Sequence, residues 1–406
     1  MNSESVSIKA YISCNGCNRR LLDSQRLRQY LLANHCKIVN KPDTADYIFF
    51  FASALNKVRI DESLDIIKRL KKYRGEIIVL GCLMEVAPSS FSKYWKGKAL
   101  AVKDMDRIDE YFPSFTIPYK NIPVQNHPIP NPNIYKTISP AVFVKQGISS
   151  LLSPVWVTDK IYKQIHKEQK EDYNTTFIWV GKGCPNLCSF CAERKVVGMP
   201  ESRPVAEIIK EYKNLLAEGR RTFEFIGDDV GSYGIDIGSN FGELVNALNE
   251  ADKGLSVRWV IKHLHPKFII KYKDALIEIA GKGKISEIIC CFQSGSNRLL
   301  ELMNRQHTIE EVVNVLSEFR KVLPDIKFAT NIIVGFPTET DQDFTETLQV
   351  FDRVYFDRVH MIKYYDAEGS DSNTIFPKIS DKVIAQRIKL AKGFFKKRHI
   401  FYQTRD

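Results

Sequence analysis

The chain contains no apolar run long enough to span a bilayer, and residues 1–9 lack the charged-then-apolar pattern of an export signal. A cytoplasmic protein with no membrane partner is therefore expected. Low-complexity tracts and internal repeats are also missing, so no repeat architecture is expected. Cysteine is sparse: nine residues in 406, an odd number without an export signal, which argues for thiols and metal ligation rather than a disulfide framework. Acidic residues are the scarcer charge, 48 against 59 basic, giving a net charge of +11 that suits polyanionic partners. The basic runs Lys68-Arg69-Lys71-Lys72-Arg74 and Lys392-Lys396-Lys397-Arg398-Arg405 read equally well as solvated faces.

What is present is enough for two domains, with 44% hydrophobic residues to build their cores. The first hundred residues alternate strand and helix patterns: strand Val6 to Ile12, helix Leu21 to Ala33, strand Tyr47 to Phe51, helix Glu62 to Lys72, strand Glu76 to Leu80. Alternation of this kind predicts a parallel α/β sandwich. Prolines 118, 123, 128, 130 and 132 then forbid a helix or a central strand and predict a linker. From about residue 174 the strand–helix alternation resumes and continues to residue 351, which predicts an open or partial (β/α) barrel. The expected division is 1–112 for the N-terminal domain, 113–172 for the proline-rich linker, 173–380 for the barrel and 381–406 for a C-terminal amphipathic helix.

The segment Gly183-Cys184-Pro185-Asn186-Leu187-Cys188-Ser189-Phe190-Cys191 has the spacing C-x3-C-x2-C. Three closely spaced thiolates can hold three irons of a 4Fe–4S cluster, and with no fourth Cys nearby the fourth iron stays open to a ligand. Pro185 and Gly183 predict a loop, and the apolar run Thr176 to Val180 before it predicts a strand, so the sulfurs stand at a strand's carboxyl end. A structural zinc site is the competing reading, but it requires four protein ligands and the loop offers three.

With these three cysteines in a strand-end loop, the second domain resembles a radical S-adenosylmethionine (radical SAM) core. Further stretches resemble the methylthiotransferase family: Ser202-Arg203-Pro204, Gly227-Asp228-Asp229-Val230-Gly231-Ser232-Tyr233-Gly234, Gln293-Ser294-Gly295-Ser296, Met303-Asn304-Arg305 and Gly335-Phe336-Pro337-Thr338-Glu339-Thr340. In the N-terminal domain Gly16-Cys17, Asp23-Ser24 and Gly81-Cys82 resemble that family's own cluster domain, and the stretch Gly231 to Leu244 looks closest to the branch acting on threonylcarbamoyl-adenosine in tRNA. The resemblance implies a 4Fe–4S cluster on Cys184, Cys188 and Cys191 that reduces bound S-adenosylmethionine to an adenosyl radical, and transfer of sulfur or a methylthio group to an unactivated C–H of a tRNA nucleoside or peptide. It also implies an electron donor such as flavodoxin or ferredoxin.

Several polar strand ends are candidate cofactor contacts, each with a plainer role beside it. Asp228 and Asp229 could accept from the cofactor's ammonium or cap a turn. Gln293 and Ser294 could meet its ribose or close a turn, and Gly335 and Pro337 could admit the adenine or only shape a strand-to-helix turn. Arg203 could meet its carboxylate or form an ordinary salt bridge. Cys36, Cys290 and Cys291 read as core filling, and His263, His265 and His307 as structural or solvated.

The chain departs from the family's pattern in three places. The family's auxiliary cluster uses three N-terminal cysteines, and here Cys17 and Cys82 are in place while the middle position reads Ala52-Ser53-Ala54. A hydroxyl is a poor iron ligand beside thiolates, so a second cluster requires a ligand other than Ser53. Cys14, three residues before Cys17, offers a replacement, giving Cys14, Cys17 and Cys82 as the expected second ligand set. After residue 381 the pattern is an amphipathic helix rather than the family's small β-rich domain, and Asn331 stands where the family commonly has an acid. Two further functions stay open: a radical SAM enzyme modifying a peptide or small molecule without sulfur transfer, and a non-catalytic iron–sulfur or RNA-binding protein.

Overall fold

A computed structural model describes residues 7–54, 56–123 and 175–405. The chain divides into two compact units, Met1–Thr176 and Phe177–Asp406.

The first unit holds β1 (Lys9–Cys14), α1 (Asn18–Ala33), β2 (Lys37–Ile38), β3 (Tyr47–Ala52), α2 (Lys57–Leu70), β4 (Glu76–Gly81), the short helices α3 (Leu83–Val86) and α4 (Pro88–Tyr94), and β5 (Ala99–Ala101). Its five strands lie in the order β2-β1-β3-β4-β5, all parallel. The unbroken apolar run of β3 explains its central place, because such a strand is covered on both faces. Asn56 caps α2 by accepting from the Arg59 N–H at 2.9 Å. The strand-to-helix loops after β1, β3 and β4 all leave the same carboxyl edge.

Residues 113–123, the start of the expected linker, are packed. Tyr119 and Ile122 are buried, and Arg26 donates to the carbonyls of Ile122 and Tyr119 while its guanidinium lies 4.5 Å from the Tyr119 ring. Asn34 Oδ1 accepts from the N–H groups of Thr116 and Ile117, both at 3.0 Å. Prolines there end regular structure without preventing burial. The rest of the expected linker, from residue 124 to 172, lies outside the described residues.

The second unit contains β6 (Thr176–Trp179), a two-residue hairpin of β7 (Gly181–Lys182) and β8 (Glu201–Ser202) around α5 (Glu193–Val197), and then α6 (Val205–Ala217). The following elements are β9 (Thr222–Ile226), α7 (Phe241–Ala251), β10 (Arg258–Leu264), α8 (Pro266–Lys271), α9 (Lys273–Gly281), β11 (Ile285–Cys290), α10 (Asn297–Leu302) and α11 (Ile309–Val322). The unit ends with β12 (Lys327–Val334), α12 (Asp341–Arg353), β13 (Arg358–Lys363), α13 (Asp381–Lys397) and β14 (Phe401–Arg405). Seven strands form one sheet in sequential order, β6-β9-β10-β11-β12-β13-β14, a partial (β/α) barrel. The pairs from β9 to β14 are parallel. Between Pro266 and Gly281 the helical stretch is two helices that break at Tyr272. β13 and β14 were not legible in the sequence pattern, and the chain after residue 381 is a helix followed by a strand.

Alternation along the strands sorts the two faces of this sheet. Phe223, Trp259, Ile261, Ile288, Phe328, Val359 and Met361 join the large core cluster under the helices. Glu224, Lys262, Glu287, Asn331, Arg358 and His360 alternate with them and pair with one another. Lys262 meets Glu224 at 2.5 Å, Arg358 pairs with Glu287, and His360 Nδ1 lies 3.1 Å from Asn331 Oδ1. The barrel's inner face is therefore polar and ion-paired.

Candidate iron–sulfur and cofactor site

The cysteine loop follows β7 at the carboxyl end of the sheet, and its path is set by Gly183. Gly183 has φ of 85°, and a Cβ there would stand 2.0 Å from the Met199 carbonyl oxygen, so no other residue fits the turn. Its N–H donates to Asp228 Oδ2 at 2.7 Å, and Cys184 N–H donates to the Gly198 carbonyl at 3.0 Å. Asn186 bridges two elements, donating to Cys184 Sγ at 3.3 Å and to the buried carboxylate of Asp229. Asp229 also accepts from the N–H groups of Gly231 and His265, both at 3.2 Å. Burial pushes the Asp229 carboxyl up to about 6, with those donors and Arg305 pulling the other way.

The segment after α10 clasps the loop from the other side. Ser189 N–H donates to the Met303 carbonyl at 3.1 Å and its hydroxyl to the Leu302 carbonyl at 2.8 Å. Asn304 Nδ2 donates to the Leu187 carbonyl at 2.9 Å, and Arg305 Nη1 donates to Cys188 Sγ at 3.1 Å.

The loop's donor set fits an iron–sulfur cluster. None of the nine cysteines is in a disulfide, and the three loop thiols interact electrostatically with one another. Burial pushes the thiols of Cys184 and Cys191 up to about 12. Among the described residues no three Cys, His, Asp or Glu side chains converge on a point suited to one ion. A cluster spreads its thiolates over separate irons and so requires a wider spacing than zinc. Buried polar atoms around the loop also lack partners: Asn186 Oδ1, Gln293 Oε1, Arg305 Nε and His307 Nε2. Such atoms are costly unless another group completes them.

The other sequence candidates divide. Gln293 sits past the end of β11 at φ of 71°, its backbone bonded to Asn331 and Ile333 and its side-chain carbonyl unpartnered. Ser294 is buried and engaged, its hydroxyl 3.2 Å from that of Thr347 and accepting from the Ser296 N–H. Arg203 pairs with Glu211 at 2.7 Å and donates to the Trp179 carbonyl. Gly335, with φ of 87°, is where α13 approaches: a Cβ would stand 2.4 Å from Ile384. Pro337 is buried beside it. Asp228 and Asp229 are likewise occupied by the cysteine loop. Asn186 escaped sequence reasoning, because nothing local links it to an acid 43 positions away.

In the first unit the loops after β1, β3 and β4 bring Cys14, Cys17, Ser53 and Cys82 to one edge. Cys14 is buried at the end of β1, paired in register with Phe51, and Cys82 donates its N–H to the Ala52 carbonyl at 3.0 Å. Cys17 is exposed just before α1. Burial pushes the Cys14 thiol up to about 12. Buried Arg20 pairs with Asp23 at 2.9 Å and acts electrostatically on Cys17 and Cys82. The Ser53 backbone is locked: its N–H donates to Asn15 Oδ1 at 2.9 Å, its carbonyl accepts from the Ser63 hydroxyl at 2.7 Å, and Asn15 Nδ2 donates to Ser63 at 3.0 Å.

Residues 179–351 match the radical SAM superfamily, and residues 9–102 match the uncharacterized protein family UPF0004. Over 365 residues the chain is 27% identical to a tRNA-2-methylthio-N(6)-dimethylallyladenosine synthase of Thermosipho melanesiensis, covering 89% of this chain and 77% of that one. A probable threonylcarbamoyladenosine tRNA methylthiotransferase of Pyrococcus abyssi is also 27% identical, with 89% and 78% covered. The ribosomal protein uS12 methylthiotransferase RimO of Geotalea uraniireducens is 26% identical over 398 residues, with 95% and 81% covered. Among solved structures, the radical S-adenosylmethionine methyltransferase TsrM of Kitasatospora setae shares the fold at a TM-score of 0.59 and 12% identity, over 87% of this chain and 73% of that one. Two matched regions in this order, on this fold and with methylthiotransferase relatives matched over most of their length, place the chain in the radical SAM methylthiotransferase family, as a transferase that works with a 4Fe–4S cluster and S-adenosylmethionine.

Proposed function

We propose that this enzyme adds sulfur, as a methylthio group, to an unactivated C–H position of a tRNA nucleoside or a ribosomal-protein peptide in the cytoplasm, drawing electrons from a flavodoxin or ferredoxin. The observation that carries this reading is the Cys184–Cys188–Cys191 loop after β7, with buried unpartnered polar atoms on Asn186 within it, on Arg305 beside Cys188 and on Gln293 past the end of β11. When bound there, the cluster and S-adenosylmethionine supply a radical able to take a substrate hydrogen. The chain's own part is to hold and shield them. Asp228 and Asn186 fix the loop, Asp229 ties it to β9 and β10, Gln293 Oε1 offers an acceptor for a cofactor hydroxyl, and Gly335 and Pro337 close the far side. Arg203 and Ser294 support the walls through Glu211 and Thr347. The stretch Gly231 to Leu244, which resembles the threonylcarbamoyl-adenosine branch, is pinned to the β8 end, with Asp236 accepting from Ser202 N–H at 2.8 Å and Tyr233 donating to the Arg203 carbonyl at 2.7 Å. A stretch fixed in this way after β9 supports a role in reading a nucleoside. The test is mass spectrometry of tRNA and ribosomal proteins from cells with and without the gene; a methylthio mark lost from one of them supports the reading, and unchanged marks in both overturn it.

The first unit is proposed to deliver the sulfur from a second cluster held by Cys14, Cys17 and Cys82. If so, Cys14→Ala lowers the iron of anaerobically reconstituted protein from two clusters' worth to one, and Ser53→Cys in that background restores it. Two clusters' worth retained in Cys14→Ala would show that Cys14 is not a ligand. The locked Ser53 loop favours one alternative, radical modification without sulfur transfer. Wild-type protein holding a single cluster and releasing a sulfur-free product would establish it.

A further inference from the structure

The Met303-Asn304-Arg305 stretch clasps the cysteine loop, but no role in the chemistry has been given to its one inward-turned side chain. Asn304 and Gln306 both adopt positive φ, 53° each, a conformation non-glycine residues rarely take and hold only where the surroundings impose it. Between them Arg305 turns inward and is 4% exposed. Its Nη1 donates to Cys188 Sγ at 3.1 Å, its Nη2 to the Cys291 carbonyl at 2.6 Å, and its Nε has no partner. Its guanidinium carbon lies 6.0 Å from the Phe190 ring centroid, inside the cysteine loop. Among the described residues it makes no ion pair with a carboxylate, although Asp229 lies within its field.

A guanidinium stays charged at any physiological pH, and burying one without an anion is costly. The group it points at is a sulfur, and that sulfur becomes anionic when it ligates iron. A charge-assisted hydrogen bond to a cluster thiolate withdraws electron density from the cluster and offsets the negative charge added on reduction. We propose that Arg305 is a positioning residue for the radical-generating cluster and raises its reduction potential through the hydrogen bond to Cys188. The inference rests on the assignment of Cys184, Cys188 and Cys191 as cluster ligands.

The test is a redox titration monitored by electron paramagnetic resonance on the full chain, reconstituted anaerobically, with iron counted in each sample. Wild type, Arg305→Lys and Arg305→Gln are compared. Lys keeps the charge but cannot reach both acceptors; Gln keeps a neutral donor. The expected order of potentials is wild type, then Lys, then Gln, with the equilibrium constant for reduction falling about tenfold from wild type to Gln, or about 59 mV for one electron. Should the Gln protein fail to hold iron, the Lys protein carries the comparison, and a potential equal to that of wild type overturns the proposal. Loss of iron from both variants also overturns it, since Arg305 would then be needed for assembly. A reducible cluster with the same potential in all three proteins sinks this inference alone, whereas the absence of any reducible cluster in wild type sinks the ligand assignment with it.

Discussion

Replacing Cys184, Cys188 or Cys191 with alanine is expected to remove one cluster's worth of iron and to abolish 5′-deoxyadenosine formation under reducing conditions. Three protein thiolates are the whole protein ligation of a cluster with one open iron, so losing one leaves no spare. Of the nearby cysteines, Cys290 is fully buried with the large core cluster, and the Cys291 carbonyl is taken by Arg305. Serine in place of cysteine should fail in the same way, because a hydroxyl is too hard a ligand for the position. Gly183→Ala should mimic these variants without touching a sulfur, since the added Cβ collides with the Met199 carbonyl and the turn cannot form. Cys290→Ala is the control, with full iron and full product expected. Iron and sulfide assays on anaerobically reconstituted protein, with chromatography of the nucleoside product, decide the matter; a Cys188→Ala protein that keeps both would remove the loop from the chemistry.

How much of this was legible in the sequence follows from the distance over which each feature acts. The C-x3-C-x2-C loop and the strand–helix alternation after residue 174 are written in adjacent residues, and the helices Val205–Ala217 and Ile309–Val322 lie within that alternation. Arg305 and Cys188 are 117 positions apart, and only the closing of the barrel brings them into contact. Tertiary packing also overrides local punctuation: the proline-bearing stretch before residue 123 is buried at Tyr119 because Arg26 and Asn34 hold it there. β13 escaped because its inner-face residues Arg358 and His360 are polar, which disguises a buried strand as surface. β14 is five residues at the edge of the sheet and carries too few apolar positions to show a period. Polar roles were hardest to assign. Asp228, Asp229, Ser294 and Arg203 stand at strand ends as cofactor contacts would, yet each is engaged by the protein itself, and spacing alone does not separate the two uses.

Arg387→Ala is expected to destabilise the second unit by about 3–5 kcal/mol, the usual cost of removing one partner from a buried ion pair. The side chain belongs to α13 and reaches the Gly335–Thr340 motif after β12, donating to Glu339 Oε2 and to Asp341 Oδ1, both at 2.7 Å. Glu339 is buried as well and accepts from the Gly335 N–H at 2.9 Å, so this pair is what fixes α13 over the strand end. In a unit of this size the loss corresponds to a Tm lower by roughly 6–20 °C. The effect should also depend on pH. Burial pushes the Glu339 carboxyl up to about 7, against the pull of the Gly335 N–H and Arg387. A carboxyl more basic in the folded chain than in the unfolded one keeps a proton that the unfolded chain has released. Its contribution to stability is therefore full below the ordinary glutamate range and is lost as pH rises through about 7. Without Arg387 the carboxylate has no cation to offset its burial, so the penalty should be smaller at pH of about 5, where Glu339 is protonated, than at about 8. Replacing both residues with methionine should recover most of the loss and flatten its pH dependence, because an apolar pair of similar volume leaves no buried charge. Thermal unfolding of wild type and the two variants across that pH range measures this directly; a penalty that stays constant would mean that Glu339 remains ionised throughout and that the pair's strength comes from its geometry rather than its burial.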